Sequence, residues 1–318
     1  MRRLSASVHW LQDLFIRALS ALAADTACRV GAGLGVLAFH LGVRRKVASR
    51  NLTACLGLRG RERARVLRRS YATMGAAFFE VWTIGGPAGP EHTVTVANPL
   101  WLKHVRQKYR SGVFISAHLG SWDLGAHSMT RDGSEVAVYA KAQHNAYLDA
   151  ALNRARGRAG LDVLLLTPGD RSSAVKALKR LRAGALLCML ADQWPHAGLP
   201  AWFLGQATMC HEGPAFFAHK AQVPLIPGIA IRVRAGVVRI LLGRPRYMTG
   251  DKAADVQTSM DLLSAMIATY PGQFFWQHRR FRDCQVEVSP RATQPWQTQG
   301  LGLMTNGGAG CDKRNGDE

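Results

Sequence analysis

A histidine, two aspartates and an amide stand out in this chain, because each follows or closely trails an apolar run that would deliver it to an exposed edge. The first run is Gly112-Val-Phe-Ile-Ser-Ala-His118-Leu-Gly-Ser-Trp-Asp123. Val113, Phe114 and Ile115 are apolar without alternation, the pattern of a parallel strand covered on both faces. His118 then falls at the strand's carboxyl end. Gly120 and Ser121 supply a tight turn and a helix cap, so that Trp122 and Asp123 enter the first helical turn. This spacing can bring the Asp123 carboxylate back to one imidazole nitrogen. The other nitrogen would face a crevice as an acceptor and take a proton from a hydroxyl.

The second run, Leu186-Leu-Cys-Met-Leu-Ala191, ends in Asp192-Gln193. Ligands of open α/β sheets bind at the carboxyl ends of the strands, so an acid and an amide placed there are candidates for the same site. Arg154, Arg156 and Arg158 could hold an anionic group by forked hydrogen bonds. His118, Asp123 and His127 match no zinc spacing, and neither a glycine-rich phosphate loop nor G-x-S-x-G occurs. No metal, cofactor or acyl-enzyme serine is therefore expected.

The elements that must position these groups follow one another regularly. Strands are predicted at 112–117, 136–140, 162–167 and 185–191, with helices after Trp122, at 145–157 and at 172–183. That alternation implies a mainly parallel sheet with right-handed crossovers, flanked by helices. Two more strands, 224–233 and 237–243, are close enough for a hairpin, and a last helix is predicted over 252–269. Phe203-Leu-Gly205 and Gly213-Pro-Ala215 bracket a loop that reads as a pocket rim. An aromatic and basic segment, 274–282, closes the ordered part. Three regions are predicted: an amino-terminal helical, membrane-associated part (1–90), an α/β part (91–288) and a disordered tail (289–318).

Within the first region, Trp10, Leu11, Leu14, Phe15, Ala18, Leu19 and Leu22 recur at helical spacing, as in a helix packed on the protein or lying in a membrane interface. Residues 44–69 hold ten arginines and lysines against the single acid Glu62, a composition suited to anionic headgroups. No apolar stretch reaches the length of a spanning helix, and no cleavable signal is recognised, so export is not expected. The whole chain of 318 residues carries a net charge of +20, which implies an acidic partner: nucleic acid, anionic lipid or an acidic carrier protein. Its six cysteines are scattered without C-x-x-C spacing and read as reduced thiols.

Five ordered motifs together resemble the bacterial lipid A biosynthesis acyltransferases of the lysophospholipid acyltransferase superfamily. They are Ser49-Arg-Asn-Leu52; Ala117-His118-Leu-Gly-Ser-Trp122-Asp123; Asn145-Ala-Tyr-Leu-Asp149 leading to Arg158-Ala-Gly160; Asp192-Gln193 with Phe203-Leu-Gly205; and Phe275-Trp-Gln-His-Arg-Arg-Phe281. The resemblance spans residues 10–285 and implies a glycerol-3-phosphate acyltransferase-like α/β fold. It further implies transfer of a fatty acyl chain from a thioester, on acyl carrier protein or coenzyme A, to a hydroxyl of a glycolipid. The expected place is the cytoplasmic face of the bacterial inner membrane. By the same resemblance His118 is the general base and Asp123 its orienting partner. Arg158, or Arg156 one alignment step away, binds phosphate or the oxyanion. Asp192, Gln193, Gly120 and Trp122 complete the substrate site. Lipid A precursors, mannosylated phosphatidylinositols and lysophospholipids are all compatible acceptors. A nucleic-acid-binding protein and a non-catalytic membrane protein are the alternatives from other classes; the arginines lie on helices beside apolar faces with no recognised nucleic-acid module, which disfavours the first.

Overall fold

Unbroken apolar runs can be buried on both faces only inside a layered structure, and that is where they lie. The computed structural model describes residues 6–84, 93–97, 99–131, 133–142, 145–166, 171–195, 197–281 and 288. In chain order the elements are α1 (Ala6–Ser20), α2 (Ala24–His40), α3 (Arg45–Leu56), α4 (Gly60–Glu80), β1 (Thr93–Val96), α5 (Pro99–Tyr109), β2 (Gly112–Ser116), α6 (Trp122–Ser128), β3 (Val136–Lys141) and α7 (Ala146–Arg158). They continue with β4 (Leu161–Leu166), α8 (Ser172–Arg182), β5 (Leu186–Leu190), β6 (Leu199–Phe203), β7 (Gln206–Cys210), α9 (Gly213–Ala221), β8 (Leu225–Arg234), β9 (Val237–Leu242) and α10 (Lys252–Thr269).

Seven strands form one sheet in the order β1-β9-β8-β2-β5-β3-β4. All pairs are parallel except β8 with β9, the expected hairpin. The chain leaves β2 for β3 across an empty position, which β5 later fills. In the β2–β5 register Ser116 lies opposite Leu190. Extending that register past the strand ends sets His118 beside Asp192. Val113, Ile115 and Leu187 are fully buried, so the two strands that bear these residues are fixed in the core. Burying each such side chain contributes about 1.5–3 kcal/mol.

Strands β1, β6 and β7 and helix α5 are absent from the sequence reading. Edge strand β1 and helix α5 follow a stretch rich in turn residues, which masks them; Pro99 is tolerated in the first turn of α5. The supposed pocket-rim loop is the antiparallel hairpin β6–β7. Its two-residue turn, Leu204-Gly205, has positive φ at both positions (49° and 77°), the turn that matches strand twist. The expected boundary near residue 90 and the tail after 289 lie outside the described residues.

The amino-terminal helices approach one another backbone to backbone. A Cβ on Gly35 would stand 2.0 Å from the Tyr71 carbonyl oxygen, and one on Gly75 2.0 Å from that of Gly31, so α2 and α4 meet through glycine. The same layer is stitched to the chain's last described segment. Asn51 Nδ2 donates to the carbonyls of Trp276 (2.9 Å) and His278 (2.8 Å), and Ser70 Oγ to that of Phe274 (2.6 Å). The buried Glu80 holds Arg232 of β8 at 2.7 Å. On the outer side Trp10, Leu14 and Phe15 of α1 and Val30, Leu34 and Leu37 of α2 are exposed.

Candidate active site

At the carboxyl edge of the sheet, His118 Nδ1 lies 2.9 Å from Asp192 Oδ1, and the same oxygen accepts the His118 backbone N–H at 3.0 Å. Asp192 is 2% exposed. Burial pushes its carboxyl up. The imidazole's charge and the two His118 hydrogen bonds outweigh that and hold it below its ordinary value. An ionised carboxylate only accepts, so Nδ1 carries the proton of the neutral ring and Nε2 presents a lone pair. Gln193 Nε2 lies 3.3 Å from that nitrogen.

This corrects the expected pairing. Asp123 is not the partner of His118: its two oxygens accept Arg156 Nε at 2.7 Å and Nη2 at 3.1 Å. The cause is the turn. Gly120 (φ +66°) bends the chain so tightly that a Cβ there would lie 2.1 Å from the Ala230 oxygen. The helix that follows carries Asp123 onto α7, while Asp192 already sits at the right register. Arg156 takes part, and Arg158, the expected anion binder, is exposed on the helix surface. Burial works against the Arg156 charge, but Asp123 and then Asp149 reverse the effect and raise its pKa.

The remaining expected residues divide. Gly120 serves the turn, and its N–H is engaged, donating to the Gln273 carbonyl at 3.0 Å. Ser121 does not cap α6, since its hydroxyl accepts Arg232 Nη2 at 2.7 Å. Trp122 does line the site, its ring edge-on to the imidazole with centroids 5.1 Å apart. Phe275 packs at 6.2 Å from His118, and Phe78 of α4, 51% exposed, meets both Trp122 and Phe275. An aromatic cluster thus joins the helical layer to the imidazole.

Two groups of the aromatic and basic segment also enter this region. His278 is close enough for Asp192 and His118 to act on it. Burial, reinforced by His118, Arg280 and Arg44 and opposed by Asp192, lowers its pKa. Arg280 is not a surface cation: it is buried, bonded to Thr208 Oγ1 (2.9 Å) and Cys210 Sγ (3.2 Å), and lies over the Phe203 ring at 5.0 Å. The density of polar residues in 274–282 marked the segment; nothing in the sequence assigned His278 a place. The four described cysteines are free, and burial pushes Cys28 up to about 11 and Cys188 up to about 12, so neither is poised as a nucleophile. Among the described residues no group of histidine, cysteine and acid side chains could hold a metal ion.

An oriented imidazole whose Nε2 accepts, beside an aromatic cluster, can deprotonate a hydroxyl. Comparison with known proteins places the chain among acyltransferases. A phosphatidylinositol mannoside acyltransferase of Mycolicibacterium smegmatis is 26% identical over 166 residues, 52% of this chain and 55% of the relative. One from Mycobacterium tuberculosis is 25% identical over 164 residues, 51% of this chain and 52% of the relative. The chain thus spans about half the length of the curated relatives it matches. The model of the family described as bacterial lipid A biosynthesis acyltransferase matches residues 1–283. By that match the chain belongs to the bacterial lipid A biosynthesis acyltransferase family.

Proposed function

We propose that this protein transfers a fatty acyl chain from an acyl thioester to a hydroxyl of a glycolipid, with His118 as general base and Asp192 as the group that orients it. The observation that carries the reading is the 2.9 Å contact between His118 Nδ1 and the buried Asp192, which fixes the tautomer a base needs. A thioester is already activated. The protein has only to take the acceptor's proton, hold the two reactants and stabilise the oxyanion. His118 Nε2 takes the proton as the acceptor oxygen attacks the carbonyl carbon. The tetrahedral intermediate then breaks its C–S bond, and the thiolate leaves with that proton.

The donor in this reading is acyl carrier protein or coenzyme A, both acidic and both drawn to a chain of net charge +20. The acceptor is a lipid A precursor or a mannosylated phosphatidylinositol, the latter suggested by what the relatives are named for. The protein would work on the cytoplasmic face of the inner membrane. The exposed Trp10, Leu14 and Phe15 beside Val30, Leu34 and Leu37 suit shallow burial in an interface, and the arginines of α3 and α4 suit its anionic headgroups. No single helix among the described residues is long and apolar enough to cross a membrane.

The test is acyl transfer by the full chain on vesicles containing membrane glycolipid, with lipids read by mass spectrometry. His118→Ala should lower the rate by about 10²–10⁴-fold without loss of vesicle binding. Undiminished transfer in that variant would remove His118 from the mechanism.

A further inference from the structure

We propose that Gln193 is a catalytic residue: its side-chain amide keeps the acceptor hydroxyl's place on His118 Nε2 in the free protein, then donates to the oxyanion when that hydroxyl arrives. The inference rests on the acyl-transfer reading and adds the group that reading lacks.

The first half follows from the tautomer. Because Asp192 takes the Nδ1–H, Nε2 must accept, and the Gln193 amide at 3.3 Å donates to it. That separation is longer than the usual 2.7–3.2 Å of an N–H donor, so the contact is a weak one that a better partner displaces. An alcohol oxygen forming an ordinary hydrogen bond to Nε2 is such a partner. It occupies the spot the amide nitrogen guarded, and the amide moves aside while its backbone stays tied to the buried Asp192.

The second half follows from a shortage of donors. In the turn beside the imidazole every backbone N–H from 118 to 121 is engaged: His118 with Asp192, Leu119 with Ala117, Gly120 with Gln273, and Ser121 with Ala230. Arg156 has both forked nitrogens on Asp123. The turn therefore forms no oxyanion hole from these groups. The displaced Gln193 amide remains beside the attacking oxygen, next to which the carbonyl oxygen gains its charge, and a neutral donor suits that place without altering the proton balance. The acceptor's proton passes to His118 Nε2 and on to the departing thiolate; Gln193 gains and loses none.

The experiment compares wild type, Gln193→Ala and Gln193→Glu with palmitoyl thioesters of coenzyme A and of acyl carrier protein on glycolipid vesicles, with the histidine ring nitrogens followed by 15N NMR. Expected is a fall in kcat of about 10²–10³-fold for both variants, with kcat/KM falling alongside and KM little changed. The His118 Nε2 resonance should also move in Gln193→Ala while the melting temperature holds. An active wild type matched by Gln193→Ala, a loss confined to KM, or an unmoved Nε2 resonance overturns the role of Gln193 and leaves acyl transfer standing. A wild type that transfers nothing to any acceptor overturns both.

Discussion

Asp192 and Asp123 are both carboxylates of the site region, one held by an imidazole and the other by a guanidinium. Their side chains are nearly withdrawn from water, at 2% and 13% exposure. Asp192 faces an imidazole that can accept at one nitrogen while donating from the other, on rigid strand ends locked by the β2–β5 register. Asp123 faces a guanidinium that only donates, joined by two parallel hydrogen bonds between α6 and α7. The first arrangement can move a proton. The second holds two helices together. A histidine followed by an acid at short range in the sequence therefore need not be a pair, because the fold can give the histidine a better acid from a neighbouring strand.

The contrast is open to attack by substitution. Asp192→Asn keeps the shape but not the charge or the forced tautomer, and should lower the rate of acyl transfer by about 10²–10⁴-fold. Combined with His118→Ala it should add little further loss, since the two act as one unit; additive losses in steady-state kinetics would break the pair. Asp123→Ala strands a mostly buried guanidinium and should cost about 3–5 kcal/mol by urea denaturation. The double change Asp123→Leu with Arg156→Met should recover most of it, and failure to recover would mean that a stranded guanidinium is not the cause of the loss.

A smaller effect separates the carboxylates by pH. Asp192 has a folded pKa below its ordinary 3.8, so its contribution to stability is complete above that value and is lost as pH falls through the lower folded one. Denaturation midpoints of Asp192→Asn should therefore decline less steeply than those of wild type below about pH 4. Smallest of all, Arg158→Ala should leave stability within about 0.5 kcal/mol and transfer unchanged, because the side chain points to solvent.

What the sequence made legible were the features written in consecutive residues. The runs at 113–115 and 186–190 became central strands, and the helices at 145–157, 172–183 and 252–269 form within a residue or so of those limits. The hairpin β6–β7 was hidden because Leu204 at positive φ gives no composition signal. The pairing of His118 with Asp192 was hidden because it depends on β5 returning between β2 and β3, an order that alternation does not encode. The choice between Arg156 and Arg158 was open because two positions on a helix differ by about 200° in direction, and only the packed structure says which faces inward.

Asn51 has a last consequence, for the making of the protein. Its amide donors belong to carbonyls 225 and 227 positions further along, and its side chain is buried when they are met. At about 5–20 residues per second, a ribosome needs roughly 10–45 s to supply them. Through that interval α2 and α4 have their glycine seam and the Phe39–Tyr71 ring contact to hold them, while the Asn51 amide waits for the two carbonyls that close the layer against the end of the chain.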